Sequence, residues 1–268
     1  MILETITGYV TAAGTTFTGL TMLDRDSKTI RNYDKGTARL IDVVSFTQGT
    51  GAFRIASPGM HDPTNGIRLG HTSNDPSSLL AQGYGMQTFT PQEILTLEAT
   101  GSATGGDIEM HSLTLQYDSV PGLNGRYIDE VTLAAAVEEF STVQVDITAA
   151  TTGAYSSAVA INATVDNFIA NRAYAVMGIS TVVNQGVITI QGAETGNVRV
   201  GVPGNLAKKD VGSRYFIETT RRTGLPCIPV FNSANKANVL IQTTNNENAA
   251  SPKVFIHLAL LRRDLFPQ

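Results

Sequence analysis

Few side chains in this sequence could do chemistry. The four histidines are His61, His71, His111 and His257. Two of them bracket the stretch HDPTNGIRLGH (61–71), with Asp62 beside the first. A catalytic zinc or iron needs three or more convergent ligands. His61 and His71 could meet across a hairpin, but no third ligand is apparent and no His-x-His occurs. The Pro-Thr-Asn-Gly run between them is turn chemistry, because Pro fixes φ and Asn-Gly tolerates positive φ. The stretch therefore reads as a turn leading into a strand. Glu93, Glu98, Asp107 and Glu109 lie close in sequence, and a glycosidase needs two carboxylates roughly 5–10 Å apart. Their setting in two strands reads instead as ordinary polar faces, with Glu109 placed to share a strand face with His111. No Gly-x-Ser-x-Gly, phosphate-binding glycine loop or kinase signature is present. The sequence thus nominates no catalytic, cofactor-binding or metal residue.

Other motifs have modest readings. LDRDS (23–27) and NNENAAS (245–251) offer oxygens to Ca²⁺ but read first as turns. TTRRTG (219–224) and LLRRD (260–264) carry arginine pairs suited to surface or subunit ion pairs. Tyr84 is the best platform for stacking a sugar, since tryptophan is absent. Cys227 is the only cysteine; it excludes an internal disulfide and reads as a small buried apolar residue.

The 268 residues carry a net charge of −4, and 16% are charged, against about 25% in average soluble proteins. Without a basic cluster, nucleic-acid binding is not the expected task. MILETITGYV lacks the features of a signal peptide, so synthesis in a cytoplasm is expected.

The elements that must hold these residues are strands. RLIDVVSFTQ (39–48), AFRIAS (52–57), IRLGH (67–71), EILTLEAT (93–100) and DIEMHSLTLQYD (107–118) have β composition and are separated by turn signals. DEVTLAAAVEEF (129–140) predicts a short helix with Asp129 and Glu130 in its first turn. The spacing of Val165, Phe168 and Ile169 predicts a second within 156–173.

The second half then repeats the first. VQVDITAATTGA (143–154) matches ITGYVTAAGTTFTG (6–19), STVVNQGVITIQG (180–192) matches SFTQGTGAFRIAS (45–57), and GNVRVG (196–201) matches NGIRLG (65–70). VLIQTTNNENAASPKVFIHLALL (239–261) matches EILTLEATGSATGGDIEMHSLTL (93–115), which sets His257 against His111. The growing offset implies second-half insertions, notably around AKKDVGSRYF (207–216). Each copy supplies about eight strands, giving an all-β chain of two tandem eight-stranded jelly rolls, 1–128 and 129–268, with short helices in loops. VFIHLALL is apolar on both faces, so this strand should be covered on both sides.

Two jelly rolls with no catalytic constellation resemble the double jelly-roll major capsid proteins of tailless icosahedral viruses. The paired stretches SFTQGTGAFRIAS with STVVNQGVITIQG, and DIEMHSLTLQYD with PKVFIHLALLRRD, carry the resemblance. It implies a non-enzymatic shell subunit of a virion, forming a homotrimer whose six barrels make a pseudo-hexagonal tile. Its partners would be neighbouring tiles, minor capsid or vertex proteins and, in members that have one, an internal membrane. The family's membrane-proximal N-terminal helix is not matched, since MILETITGYV reads as β. A carbohydrate-binding β-sandwich and a glycoside hydrolase on a double barrel are the alternative readings.

Overall fold

The computed structural model describes all residues except 12–13, 25–28, 32–35, 47–50, 72–86, 102–107, 184–185, 205–211, 246–250 and 267–268. The chain is mostly antiparallel β. The strands of its first half are β1 (Ile2–Val10), β2 (Gly14–Gly19), β3 (Thr21–Met22), β4 (Thr29–Arg31), β5 (Ala38–Phe46), β6 (Gly51–Ala56), β7 (Ile67–His71), β8 (Thr88–Phe89), β9 (Ile94–Gly101) and β10 (Glu109–Tyr117). The second half begins with β11 (Tyr127–Ile128) and helix α1 (Glu130–Ala136). It continues through β12 (Val137–Asp146), β13 (Val159–Ala160), β14 (Ala173–Thr181), β15 (Val187–Gln191) and β16 (Val200–Pro203). Helix α2 (Tyr215–Thr223), β17 (Ile228–Asn232), a 3-10 turn (Ser233–Asn238), β18 (Leu240–Thr243) and β19 (Lys253–Leu261) complete it.

Four sheets result. In the first half the orders are β3-β1-β10-β5-β8 and β2-β9-β6-β7, with β4 also on β9. In the second they are β11-β17-β14-β19-β12 and β13-β18-β15-β16. With β3 and β11 set aside and β2 and β4 counted together, each half has eight strands. Both halves then pair first-eighth-third-sixth in one sheet and second-seventh-fourth-fifth in the other. The sequence repeat is thus matched by a repeat of strand order.

Alternation builds a core between the sheets of each half. In the first half Ile6, Val43, Phe53, Ile55, Leu97 and Leu113 bury together. In the second, Val143, Val145, Ile188, Ile190, Ile241, Ile256 and Leu258 do so. The second-half cluster also takes in Leu3 and Ile41 from the first half, so apolar packing is continuous across the repeat.

The helices depart from expectation in three ways. Asp129 does start a helix, its carboxylate accepting from the Thr132 amide at 2.7 Å, but the helix stops at Ala136 and Val-Glu-Glu-Phe begins β12. No helix forms in 156–173. Val165 and Ile169 are exposed, so their helical spacing has no surface to bury, and Phe168 alone packs, edge-on to Tyr174 and Phe231. Helix α2, hidden behind β-branched and polar residues in YFIETTRRT, was not foreseen; Phe216 and Tyr215 anchor it in the core, and Gly224 at φ 69° closes it.

The histidine match also needs correcting. His111 stacks on Phe53 of the opposite sheet, with ring centroids 5.0 Å apart, so it faces its own core. His257 pairs across the strands with exposed Thr142, while its neighbours Ile256 and Leu258 face the core. In cross-strand register His257 stands where Thr114 does, three residues from His111, and an odd offset puts the two histidines on opposite faces, because side chains alternate with period two.

Replacing Phe53 with Ala removes both a fully buried ring and the surface on which His111 stacks. A loss of about 3–5 kcal/mol is expected, read from the shift in urea midpoint at unchanged slope.

Candidate functional site

Several residues of the candidate enzyme sites are engaged in local structure. Asp62 closes a local turn: its Oδ1 accepts from the Thr64 and Asn65 amides at 3.2 and 2.8 Å, and its Oδ2 from the Asn65 side chain at 2.7 Å. These hydrogen bonds, that of the Asn65 amide first, hold its carboxyl below the usual range. Gly66 takes φ 60°, where an added Cβ would lie 1.9 Å from the Ile55 carbonyl oxygen. His61 is exposed on this turn. His71 lies at the far end of β7, opposite Gly51; with a rise of about 3.3 Å per residue the strand separates the two histidines rather than joining them.

Glu93 and Glu98 are likewise occupied. Glu93 accepts from the Thr90 amide at 2.7 Å, the Gly59 amide at 3.1 Å and the Ser57 hydroxyl, tying the loop before β9 to the loop after β6. Glu98 forms an ion pair with Arg54. Glu109 is fully buried on β10, in the other sheet from Glu98. Asp107 and Tyr84 lie outside the described residues. Among the described residues no three of His, Cys, Asp and Glu gather to hold a metal. A depression of about 110 Å³ beside Glu139, Ser141 and Tyr174 is below the roughly 300 Å³ at which small-molecule sites begin. Cys227 is buried, and burial pushes its thiol up to about 11, which leaves it unreactive. Among the described residues no helix is long and apolar enough to cross a membrane. One arginine of each pair serves an ion pair within the chain: Arg221 with Glu130 and Glu218, Arg262 with Asp264.

The most elaborate polar construction lies where the halves meet. The outward face of the β1-β10-β5 sheet carries Thr5, Thr7, Asp42, Ser112 and Thr114, and all are buried. The covering surface comes from the second half, at the β16 edge, the start of α2 and the loop around Tyr155. The Thr5 amide donates to the Arg199 carbonyl at 2.8 Å. The Thr5 hydroxyl accepts from the Gly201 amide at 2.8 Å and meets Thr114 at 2.9 Å. Tyr215, the first residue of α2, donates its hydroxyl to Asp42 at 2.6 Å. Met110, Val44 and Ile108 pack on Val187 beside them.

Asp24 is the anionic centre of this seam. Its Oδ2 accepts from the Thr7 amide at 2.8 Å and the Tyr155 hydroxyl at 3.0 Å, and its Oδ1 from Arg199 at 3.0 Å. The Arg199 guanidinium lies over the Tyr155 ring at 4.3 Å and also donates to Gln242. Burial raises the Asp24 carboxyl above its ordinary value, outweighing the Thr7 amide, Arg199 and Tyr155, which lower it. The sequence offered Asp24 only as one oxygen of an acidic loop. Its partners are 131 and 175 positions away, and nothing local signals them.

No protein-family model matches the sequence, and no curated protein matches it. Among solved structures, the chain is similar to the PBSX exported protein XepA at 8% identity and TM-score 0.28, over 97% of this chain and 86% of that one. It is similar to an archaeal virus protein described by its triple jelly roll fold and turret assembly, at 10% identity and TM-score 0.22, over 97% and 78%. A putative secreted protein from Parabacteroides distasonis follows at 7% and 0.16, over 96% and 88%. Likenesses at these TM-scores carry no argument about fold or function.

The seam predicts an asymmetry between two substitutions. Arg199→Ala strands a buried carboxylate and should cost about 2–3 kcal/mol, below the ~3–5 of a wholly buried pair because the Arg199 side chain is 29% exposed. Asp24→Asn keeps the shape and acceptor oxygen and should cost under about 1.5 kcal/mol at neutral pH. Because the folded-state pKa of Asp24 is raised, its contribution is greatest below pH 3.8 and is lost as pH rises through the folded value. Urea midpoints across pH 3–7 should therefore fall in the wild type relative to Asp24→Asn.

Proposed function

We propose that this chain is a structural shell subunit, a non-enzymatic viral capsid protein of two tandem jelly rolls, residues 1–128 and 129–268. The observation that carries the reading is the repeated strand order. The order first-eighth-third-sixth against second-seventh-fourth-fifth, present in both halves, supports reading each half as a jelly roll, two Greek keys closed into a sandwich. The seam adds support. A tile in a shell must be rigid, and this chain joins its two halves by shared apolar packing, backbone hydrogen bonds and a partly buried ion pair rather than by a linker.

On this reading three chains associate into a trimer presenting six barrels. Its partners are neighbouring tiles and the minor proteins of the shell, and the protein resides in the virion after synthesis in the host cytoplasm. The occupied carboxylates, Glu93 in a turn and Glu98 on Arg54, weigh against the glycoside hydrolase alternative. The carbohydrate-binding alternative rested on Tyr84, which lies outside the described residues.

Light scattering coupled to size exclusion tests the proposal. The expected mass is about three times 28.5 kDa, unchanged between low and high salt. A monomer at every concentration tried would overturn it.

A further inference from the structure

One end of the second half carries a polar depression at the edge of its sheet. β12 ends the order of that sheet. Alternation turns Val143 and Val145 into the core, so Ser141 and Glu139 lie on the same side, nearer the start of the strand. Glu139 stands opposite Leu260, and Leu260 opposite Tyr174, which sets the three in a row across β12, β19 and β14. The loop between β13 and β14 runs back along the β12 edge. At one end the Thr164 hydroxyl accepts from the Asp146 amide at 2.9 Å; at the other the Ile169 amide donates to the Tyr174 hydroxyl at 2.8 Å. Between strand and loop, Glu139, Ser141, Asn167, Ile169, Tyr174 and Leu260 line the depression of about 110 Å³.

Most of its polar groups are unspent. Among the described residues the Glu139 carboxylate, the Ser141 hydroxyl and the Asn167 side-chain amide have no partner. The cations nearby are already used: Arg172 pairs with Glu138 and donates to the Leu261 carbonyl at 2.8 Å, and Lys236 pairs with Asp166 at 2.6 Å. Of the carboxylates Glu138, Glu139 and Asp166, Glu139 alone is left without a cation. The wall is apolar, made by buried Leu260 and by Ile169, which is 49% exposed. The space is too small for a metabolite, and a single carboxylate is too few for Ca²⁺. A guanidinium matches it. Its planar fork meets a carboxylate in paired hydrogen bonds and leaves further N–H groups for the oxygens of Ser141 and Asn167. The stem of an arginine lies against apolar surface while its head stays charged.

We propose that this depression receives an arginine side chain from a neighbouring protein chain, its guanidinium paired on Glu139 and its stem against Leu260 and Ile169. Apolar residues flanking that arginine rest on the exposed part of Ile169. The inference goes beyond the shell-subunit reading and does not depend on it, because the depression is built within one chain and a monomer in light scattering would leave it intact.

Titration of the full chain with N-acetyl-arginine amide, followed at the Ile169 amide by NMR, tests it. Saturable binding is expected, at least roughly tenfold tighter than that of the citrulline amide, its neutral isostere, and weakened at least roughly tenfold by Glu139→Gln. Glu139 is exposed, so this variant should keep the wild-type circular dichroism. A tripeptide that flanks the arginine with leucines should bind at least about threefold tighter than the amide, and Ile169→Ser should abolish that gain. Equal binding of the arginine and citrulline amides, or an unchanged affinity in Glu139→Gln, would overturn the site. A tripeptide that gains nothing over the amide would overturn a protein chain as its occupant.

Discussion

The structure depends on burying a polar sheet face while pairing most of its polar groups. The outward side of β1-β10-β5 carries threonines, a serine and an aspartate, and covering such groups is costly unless each finds a partner. The second half supplies several of those partners. The Gly201 amide reaches the Thr5 hydroxyl, Tyr215 reaches Asp42, and Arg199 and Tyr155 reach Asp24. A seam of this kind is directional, because hydrogen bonds fix register and angle in a way that apolar packing does not. Leu3 and Ile41 then add apolar area to the second core.

This constraint accounts for features that look unrelated. Gly201 lacks a side chain because β1 passes against it. Helix α2 begins at a tyrosine because that residue has to reach Asp42 across the seam. The Arg199 guanidinium stacks on Tyr155 while it pairs with Asp24, which keeps a partly buried cation in a fully used environment. The two halves share a strand order, and differences in their outward faces decide which face the other half covers. The same comparison separates Leu3 from Phe140, residues at equivalent places with opposite exposure.

Several elements were legible in the sequence. The strands β5, β6, β7, β9 and β10 follow from their composition and flanking turns, and the order of repeats anticipates the repeated strand order. The turn reading of HDPTNGIRLGH follows from Asp62, Asn65 and Gly66, whose hydrogen bonds and φ are local. The burial of Val254, Ile256, Leu258, Ala259 and Leu261 follows from apolar residues on both sides of β19, although Phe255 and His257 stay half-buried. Helix α2 was not legible, because Ile217, Thr219 and Thr220 favour strands and its helical state comes from packing Tyr215 and Phe216. The spacing of Val165, Phe168 and Ile169 misled for the converse reason, periodicity without a surface to bury.

The strand β10 draws the line most clearly. EMHSLTLQY alternates, with His111, Leu113, Leu115 and Tyr117 on one side and Met110, Ser112, Thr114 and Gln116 on the other. Period two fixes which residues share a face, so the sequence by itself determined the strand, its pleat and its core side. By the same pattern the Ser-Thr-Gln side belongs in water, yet every residue of β10 is buried. Whether a polar face meets solvent or a matching set of donors and acceptors depends on residues far along the chain, here Thr244 on Met110 and, on the neighbouring strands β1 and β5, Gly201 on Thr5 and Tyr215 on Asp42. Alternation is a local property of the chain and complementarity is not, so only the tertiary structure could decide it.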